Sequence, residues 1–312
     1  MRRSVVFGVA GTALALALVL TLLGVGDDPA ALTNGQAFVL GIVQGLTELL
    51  PISSSGHLIL VPWIADWTYL KEHDSFNQTF DVSLHLGTLV AVVAYFWRDI
   101  VTLVVAWLSS IHRRRIESSD ERVAWFVVVA TIPAAVAGFL GEDAIADVLG
   151  EPWQILVLLA GGALLLYWAD RSPQSRAMGD LRLGHALVMG CAQALALAPG
   201  VSRSGITITT GRFMKLDRDS AARFSFLLLI PIVFGAVLLK GVKDVLLGDL
   251  PTGWHGPFLV GTLAALGSGL LAIDWLLGFV RTHTYGFFVV YRLVVAALVL
   301  LAIVSGVRDA TF

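Results

Sequence analysis

From Ser4 to Gly26 the chain runs for 23 residues without a charged side chain. As a helix that run spans about 35 Å, enough to cross the hydrocarbon core of a bilayer. Further apolar runs recur at 78–97, 100–111, 121–141, 153–169, 221–240, 256–280 and 287–306. None alternates as barrel strands do, and a backbone in lipid must satisfy its own hydrogen bonds, so the runs read as helices. The stretch 100–111 is too short to cross alone. Of the 312 residues, 57% are hydrophobic and 14% charged, against roughly 25% charged in a soluble domain. The expected fold class is an all-α integral membrane protein, a polytopic helix bundle. A net charge of -2 excludes a basic nucleic-acid binder, and the single Cys191 excludes a disulfide framework or a thiolate metal cluster.

Residues 1–31 form an N-terminal hydrophobic extension in which Arg2 and Arg3 precede the first run. It reads as a retained transmembrane helix or a signal-like segment, and its apolar run is longer than a usual signal core. Residues 32–312 read as a single membrane-embedded domain. Arg98, Arg113, Arg114, Arg115 and Arg122 flank one connection, and Arg171, Arg176 and Arg182 another, so both are expected on the cytoplasmic side. The connection between them, Gly141 to Pro152, carries Glu142, Asp143, Asp147 and Glu151 but no Lys or Arg, and is expected outside.

Two apolar stretches, 35–64 and 182–214, are interrupted by Pro51-Ile52-Ser53-Ser54-Ser55-Gly56 and by Pro199-Gly200-Val201-Ser202-Arg203-Ser204-Gly205. The topology brings one stretch in from each face, the geometry of two re-entrant broken-helix segments in an inverted repeat. At a constant offset, Gly41, Gln44, Leu46, Ser53, Ser55 and Gly56 match Gly190, Gln193, Leu195, Ser202, Ser204 and Gly205. The halves span about 32–140 and 182–306. They differ in chemistry: Glu48 faces Leu197, Ser54 faces Arg203 and His57 faces Ile206.

Broken helices at membrane depth are tolerated where they are buried in protein or line a wet cavity. Ser- and Gly-rich turns at helix starts let backbone amides converge on an anion, and Arg203 adds a bidentate cation. Gln44 and Glu48 share a helix face one turn apart, where a carboxylate ligates a divalent cation or moves a proton. Ser54 and His57 supply a nucleophile and a proton carrier. Plainer structural readings stand beside these: caps for the serines, a core histidine, and an Arg203–Glu48 ion pair.

The segment from Gly41 to His57, GIVQGLTELLPISSSGH, resembles the first signature of the undecaprenyl-diphosphate phosphatase family, also called the bacitracin-resistance protein family. The segment from Pro199 to Thr207, PGVSRSGIT, resembles its second, and Phe80 to Gly87 and Ala221 to Pro231 resemble further family segments. The resemblance implies a bacterial multi-pass protein of the inner (cytoplasmic) membrane. It would hydrolyse undecaprenyl diphosphate to undecaprenyl phosphate, recycle the carrier for peptidoglycan synthesis and confer bacitracin resistance. It implies Glu48, Ser54, His57 and Arg203 as catalytic residues, and Ser53, Ser202, Arg203, Ser204 and Thr207 around the phosphates. It also implies a divalent cation, Mg2+ or Ca2+, at Glu48 and Gln44, and a pocket open to the outer face. The family often has Glu where Gln44 stands, which puts metal ligation by this residue in doubt. Ser54 and His57 both stand as the attacking group, and a homodimer is left open. A lipid-carrier flippase or transporter using the same phosphate site is the rival reading. The lipid-phosphatase design with a Lys-led motif and a downstream histidine is rejected, because no histidine follows Ser202-Arg203 up to Lys215.

Overall fold

The computed structural model describes residues 3–24, 31–241 and 253–312, without the side chains of residues 74–75 and 142–147. The described residues form thirteen α-helices: α1 (Arg3–Leu22), α2 (Asn34–Leu49), α3 (Ser54–Ala65), α4 (Tyr69–Glu72), α5 (Asp74–Tyr95), α6 (Trp97–Arg113), α7 (Ser119–Val148), α8 (Pro152–Asp170), α9 (Leu183–Ala194), α10 (Arg203–Phe213), α11 (Arg218–Lys240), α12 (His255–Val280) and α13 (Gly286–Val304). Six of them, α1, α7, α8, α11, α12 and α13, have a segment long and apolar enough to cross a membrane. The polytopic helical class expected from the apolar runs is the one observed. The 78–97 and 100–111 runs fall on α5 and α6, which meet at Phe96 with a bend of 81°, so the short run turns away from its predecessor. Arg2 and the end of the first run at Gly26 lie outside the described residues.

The acidic stretch 141–152 is mostly helix: α7 continues to Val148, so the link to α8 is only 149–151. Its Ala-, Leu- and Glu-containing sequence favours helix over turn. The crossing segment of α7 ends at Gly141, as expected for the 121–141 run, and the side chains of Glu142, Asp143 and Asp147 lie outside those described.

Each broken segment folds as a hairpin whose two helices pack against each other, α2 on α3 and α9 on α10. For the first, Leu32 and Ala37 at the entry pack in one apolar cluster with Leu58, Val61 and Trp67 at the exit. Asp66 there pairs with Arg308, and Trp63 donates to Asp309 O. For the second, Arg176 reaches both His185 on α9 and Met214 O after α10. That second hairpin returns to the basic end, where Gly179 sits beside Ser119 and Arg218 pairs with Asp170 at 2.7 Å.

Each hairpin lies along a long helix from the other half, α2 on α12 and α9 on α7. The matched glycines make these approaches possible: a Cβ on Gly41 would sit 2.4 Å from Gly261 O, and one on Gly190 2.5 Å from Ala130 O. α1 packs through Val6, Ala10, Ala13 and Ala17, with Ala10 and Leu14 against Gly267 of α12, and Arg3 pairs with Asp274 at 3.3 Å. Tight small-residue contacts of this kind drive helix association in lipid.

Candidate active site

Proline ends the first half of each hairpin. A residue before proline is steered away from helical ψ, and Leu50 (ψ 147°) and Ala198 (ψ 120°) leave the helix in this way. A serine then starts the second half. Ser53 (φ 77°) and Ser202 (φ 74°) occupy the left-handed region that costs a side-chain-bearing residue about 1–3 kcal/mol. Each offsets that strain as an N-cap, its Oγ accepting from Gly56 N at 3.4 Å or Gly205 N at 3.0 Å. The two turns are joined directly: Gly200 N donates to Ser53 Oγ at 3.1 Å, and Ser204 Oγ donates to Leu50 O at 2.8 Å.

Glu48 lies at the centre, 6% exposed. Arg203 Nη2 donates to its Oε1 at 3.1 Å, and Ser54 Oγ donates to its Oε2 in a short contact. Gln44 Nε2 also donates to Oε2, at 3.3 Å, and His85 Nε2 stands 3.6 Å from it. The arginine is thus paired with the acid, while its Nη1 donates to Ser225 O at 2.9 Å and its Nε has no partner. His57 lies in the same hairpin, its Nδ1 2.7 Å from Ser53 O and its Nε2 2.8 Å from Tyr291 Oη.

The remaining hydroxyls are spent on the frame. Ser53, Ser202, Ser204 and Thr207 are buried, and Thr207 Oγ1 donates to Arg203 O and lies 2.8 Å from Ser225 Oγ. Ser54 and Arg203 are half-buried.

Sequence reasoning passed over two residues of α13. Arg292, 1% exposed, donates to five backbone carbonyls: Pro51 in the first turn, Gly200 and Val201 in the second, and Leu158 and Leu159 on α8. Among the described residues no carboxylate pairs with it. Gly162 opens the space it needs, since a Cβ there would lie 2.2 Å from Nη2. Tyr291 is the histidine's partner. An arginine in the middle of an apolar run was the available signal for both.

A divalent cation fits this donor set in part. Among the described residues no cluster of three His, Cys, Asp or Glu could hold a metal. Gln44 Oε1, however, is buried without a hydrogen-bond partner beside the Glu48 carboxylate. Magnesium is commonly held by one or two protein oxygens with the rest from phosphate and water, which matches this pair. A cavity of about 500 Å³ at the basic end is lined by Tyr167, Asp170, Arg171 and Arg218, and its acid and Arg218 are engaged with each other.

An acid, a hydroxyl and a guanidinium joined at the meeting of two interrupted helices define a helical membrane protein that handles an anionic group. The chain belongs to the family of Bacitracin resistance protein BacA, whose model matches residues 37–298. It is 43% identical over 264 residues to the undecaprenyl-diphosphatase of Pelotomaculum thermopropionicum, 84% of this chain and 94% of the relative. It is 45% identical over 265 residues to that of Moorella thermoacetica (85% and 95%) and 44% over 284 residues to that of Thermomicrobium roseum (88% and 99%). The family match leaves α1 outside.

Proposed function

We propose that the chain hydrolyses undecaprenyl diphosphate to undecaprenyl phosphate and inorganic phosphate between the two turns, with Ser54 attacking. This recycles the carrier for peptidoglycan synthesis and confers bacitracin resistance. The observation that carries the site assignment is the unbroken contact from Ser54 Oγ through the Glu48 carboxylate to Arg203. A nucleophile, its base and a phosphate clamp are already in register.

The terminal phosphoryl group sits against Arg203 and the first-turn amides of α3 and α10, and the isoprenyl tail leaves between helices. Ser54 Oγ bonds to the terminal phosphorus as its proton passes to Glu48. The bridging P–O bond breaks, and the departing isoprenyl monophosphate keeps the electron pair and takes the proton from Glu48. Water then attacks the phosphoserine and gives a proton to Glu48. Oγ leaves with its electron pair, recovers that proton and releases inorganic phosphate. Charge spread over the equatorial oxygens is met by Arg203, whose planar fork suits them. His57 has both ring nitrogens engaged, which favours Ser54 over His57 as the attacking group. Ser53, Ser202, Ser204 and Thr207 hold the turns in shape around the phosphates.

Mg2+ or Ca2+ would be held by Glu48 and the Gln44 carbonyl, and would neutralise phosphate charge. The protein sits in the bacterial cytoplasmic membrane with the basic end inside and the site open to the outer face, and α1 is a retained helix.

Phosphate release from long-chain isoprenyl diphosphate by purified protein, with and without chelator, tests the activity. Acid-quenched turnover followed by mass spectrometry should find phosphate on Ser54. Phosphate on His57 instead would move the attack to the ring.

A further inference from the structure

The ring of Tyr291 stacks on that of His57, with centroids 5.7 Å apart and planes 18° from parallel. Its hydroxyl lies 2.8 Å from His57 Nε2. On the other side of the imidazole, Nδ1 is 2.7 Å from Ser53 O. A carbonyl oxygen only accepts, so Nδ1 carries the hydrogen. In the neutral ring Nε2 is then a bare acceptor, and the Tyr291 hydroxyl must donate to it. Ser53 O thus selects the tautomer, and the two neighbours together fix one ring orientation.

That orientation bears on the nucleophile through the backbone. Ser53 O belongs to the peptide unit that joins Ser53 to Ser54. It receives two bonds from His57, one from Nδ1 and one from the backbone N at 3.2 Å. Ser53 is the strained residue of the turn, at φ 77°. A peptide plane next to a strained residue keeps its orientation only while its surroundings over-determine it. Without the hydroxyl of Tyr291, the imidazole loses one of its two tethers and is held only from the Ser53 O side.

We propose that Tyr291 is a positioning residue: it holds the His57 ring in its orientation against Ser53 O, and through it the Ser53–Ser54 peptide that presents the attacking hydroxyl. The proposal rests on the reading of Ser54 as nucleophile. Tyr291 comes from α13, so the last helix of the chain orients a side chain of the first hairpin across 234 positions of sequence.

Tyr291→Phe keeps the ring and its stacking and deletes one hydroxyl. The loss of one hydrogen bond that acts only on alignment should lower kcat about three- to tenfold and leave KM within about twofold. In 15N-histidine-labelled protein without substrate, the His57 Nε2 resonance, assigned by its disappearance in His57→Asn, should shift as its donor is lost. Both changes together support the role. Unchanged kcat in Tyr291→Phe overturns it, and so does a fall in kcat with the His57 resonance unmoved. A folded wild-type preparation without phosphatase activity sinks the hydrolysis reading and the positioning role with it, while the resonance still reports the contact itself.

Discussion

The two turns share a backbone and divide the chemistry. Each follows a proline, each starts its second helix from a serine with φ near 75°, and each caps on a glycine amide three residues on. The position after the cap is Ser54 in one turn and Arg203 in the other, and both reach the same carboxylate from its two oxygens. Four residues past the cap stands His57 in one and Ile206 in the other. Gln44 has the acid as a partner. Its counterpart Gln193, equally buried, makes no hydrogen bond among the described residues, and Leu197 stands where the acid would be. The geometry of a turn and its reactivity therefore reside in different side chains: cap serines and prolines set the first, and the positions beside them set the second.

Substitutions at the reactive positions should have the largest effects. Arg203→Lys keeps a charge but loses the fork, and Glu48→Gln loses the base, so each should cost about 3 kcal/mol or more of transition-state stabilisation, on the order of a hundredfold in kcat/KM. The double variant should fall short of the product of the two losses, because both act through one contact. Folded Arg203→Lys and Glu48→Gln proteins that both release phosphate at near wild-type rates would break the division proposed here.

Arg292→Gln acts on both turns at once. Several buried carbonyls lose their donor, each at about 1–3 kcal/mol, so thermal unfolding in detergent should begin far below the wild-type temperature. A variant as stable as wild type would show that the turns hold without this link.

Paired cap substitutions sharpen the comparison further. Ser53 Oγ accepts from two amides, Gly56 N and Gly200 N, and Ser202 Oγ from one, Gly205 N. Ser53→Ala should therefore destabilise by about 1–2 kcal/mol and Ser202→Ala by about half of that. Denaturation midpoints in the reverse order would mean that the second turn bears more of the fold.

Gln44→Glu should change turnover least, by less than about tenfold, and should lower the cation concentration needed for half-maximal rate, because a carboxylate binds a hard cation more strongly than an amide. If that requirement rises instead, the cation does not sit at this pair. The opposed entry of the hairpins has its own check in a Cys191→Ser background. An impermeant thiol reagent on intact cells should label Glu151→Cys and spare Ser172→Cys, and the opposite pattern would invert the topology.

Much of this was legible in one sequence, for identifiable reasons. Prolines and Ser/Gly clusters are local signals, so both turns, and Glu48, Ser54, His57 and Arg203 beside them, stand out against apolar helix. The constant offset revealed the shared frame because it held without a gap. What stayed hidden depends on distance in sequence. No periodicity tells that Tyr291 faces His57, that Arg292 reaches Pro51 O and Gly200 O, or that His85 comes near Glu48. The phosphate roles implied for Ser53, Ser202, Ser204 and Thr207 ran ahead of their hydroxyls' first duty, which is to satisfy buried backbone.

The position of Arg292 also sets a time order for assembly. A chain threaded into the membrane from its N-terminus completes both hairpins before α13 emerges, and domains are built in the order in which they are synthesised. Until then the carbonyls of Pro51, Gly200 and Val201 lack the guanidinium that ties them together. A chain that stops short of Arg292 keeps the direct bonds between the turns but lacks the side chain that ties both of them to α8. The emergence of α13 is therefore the step at which the two turns gain this tie.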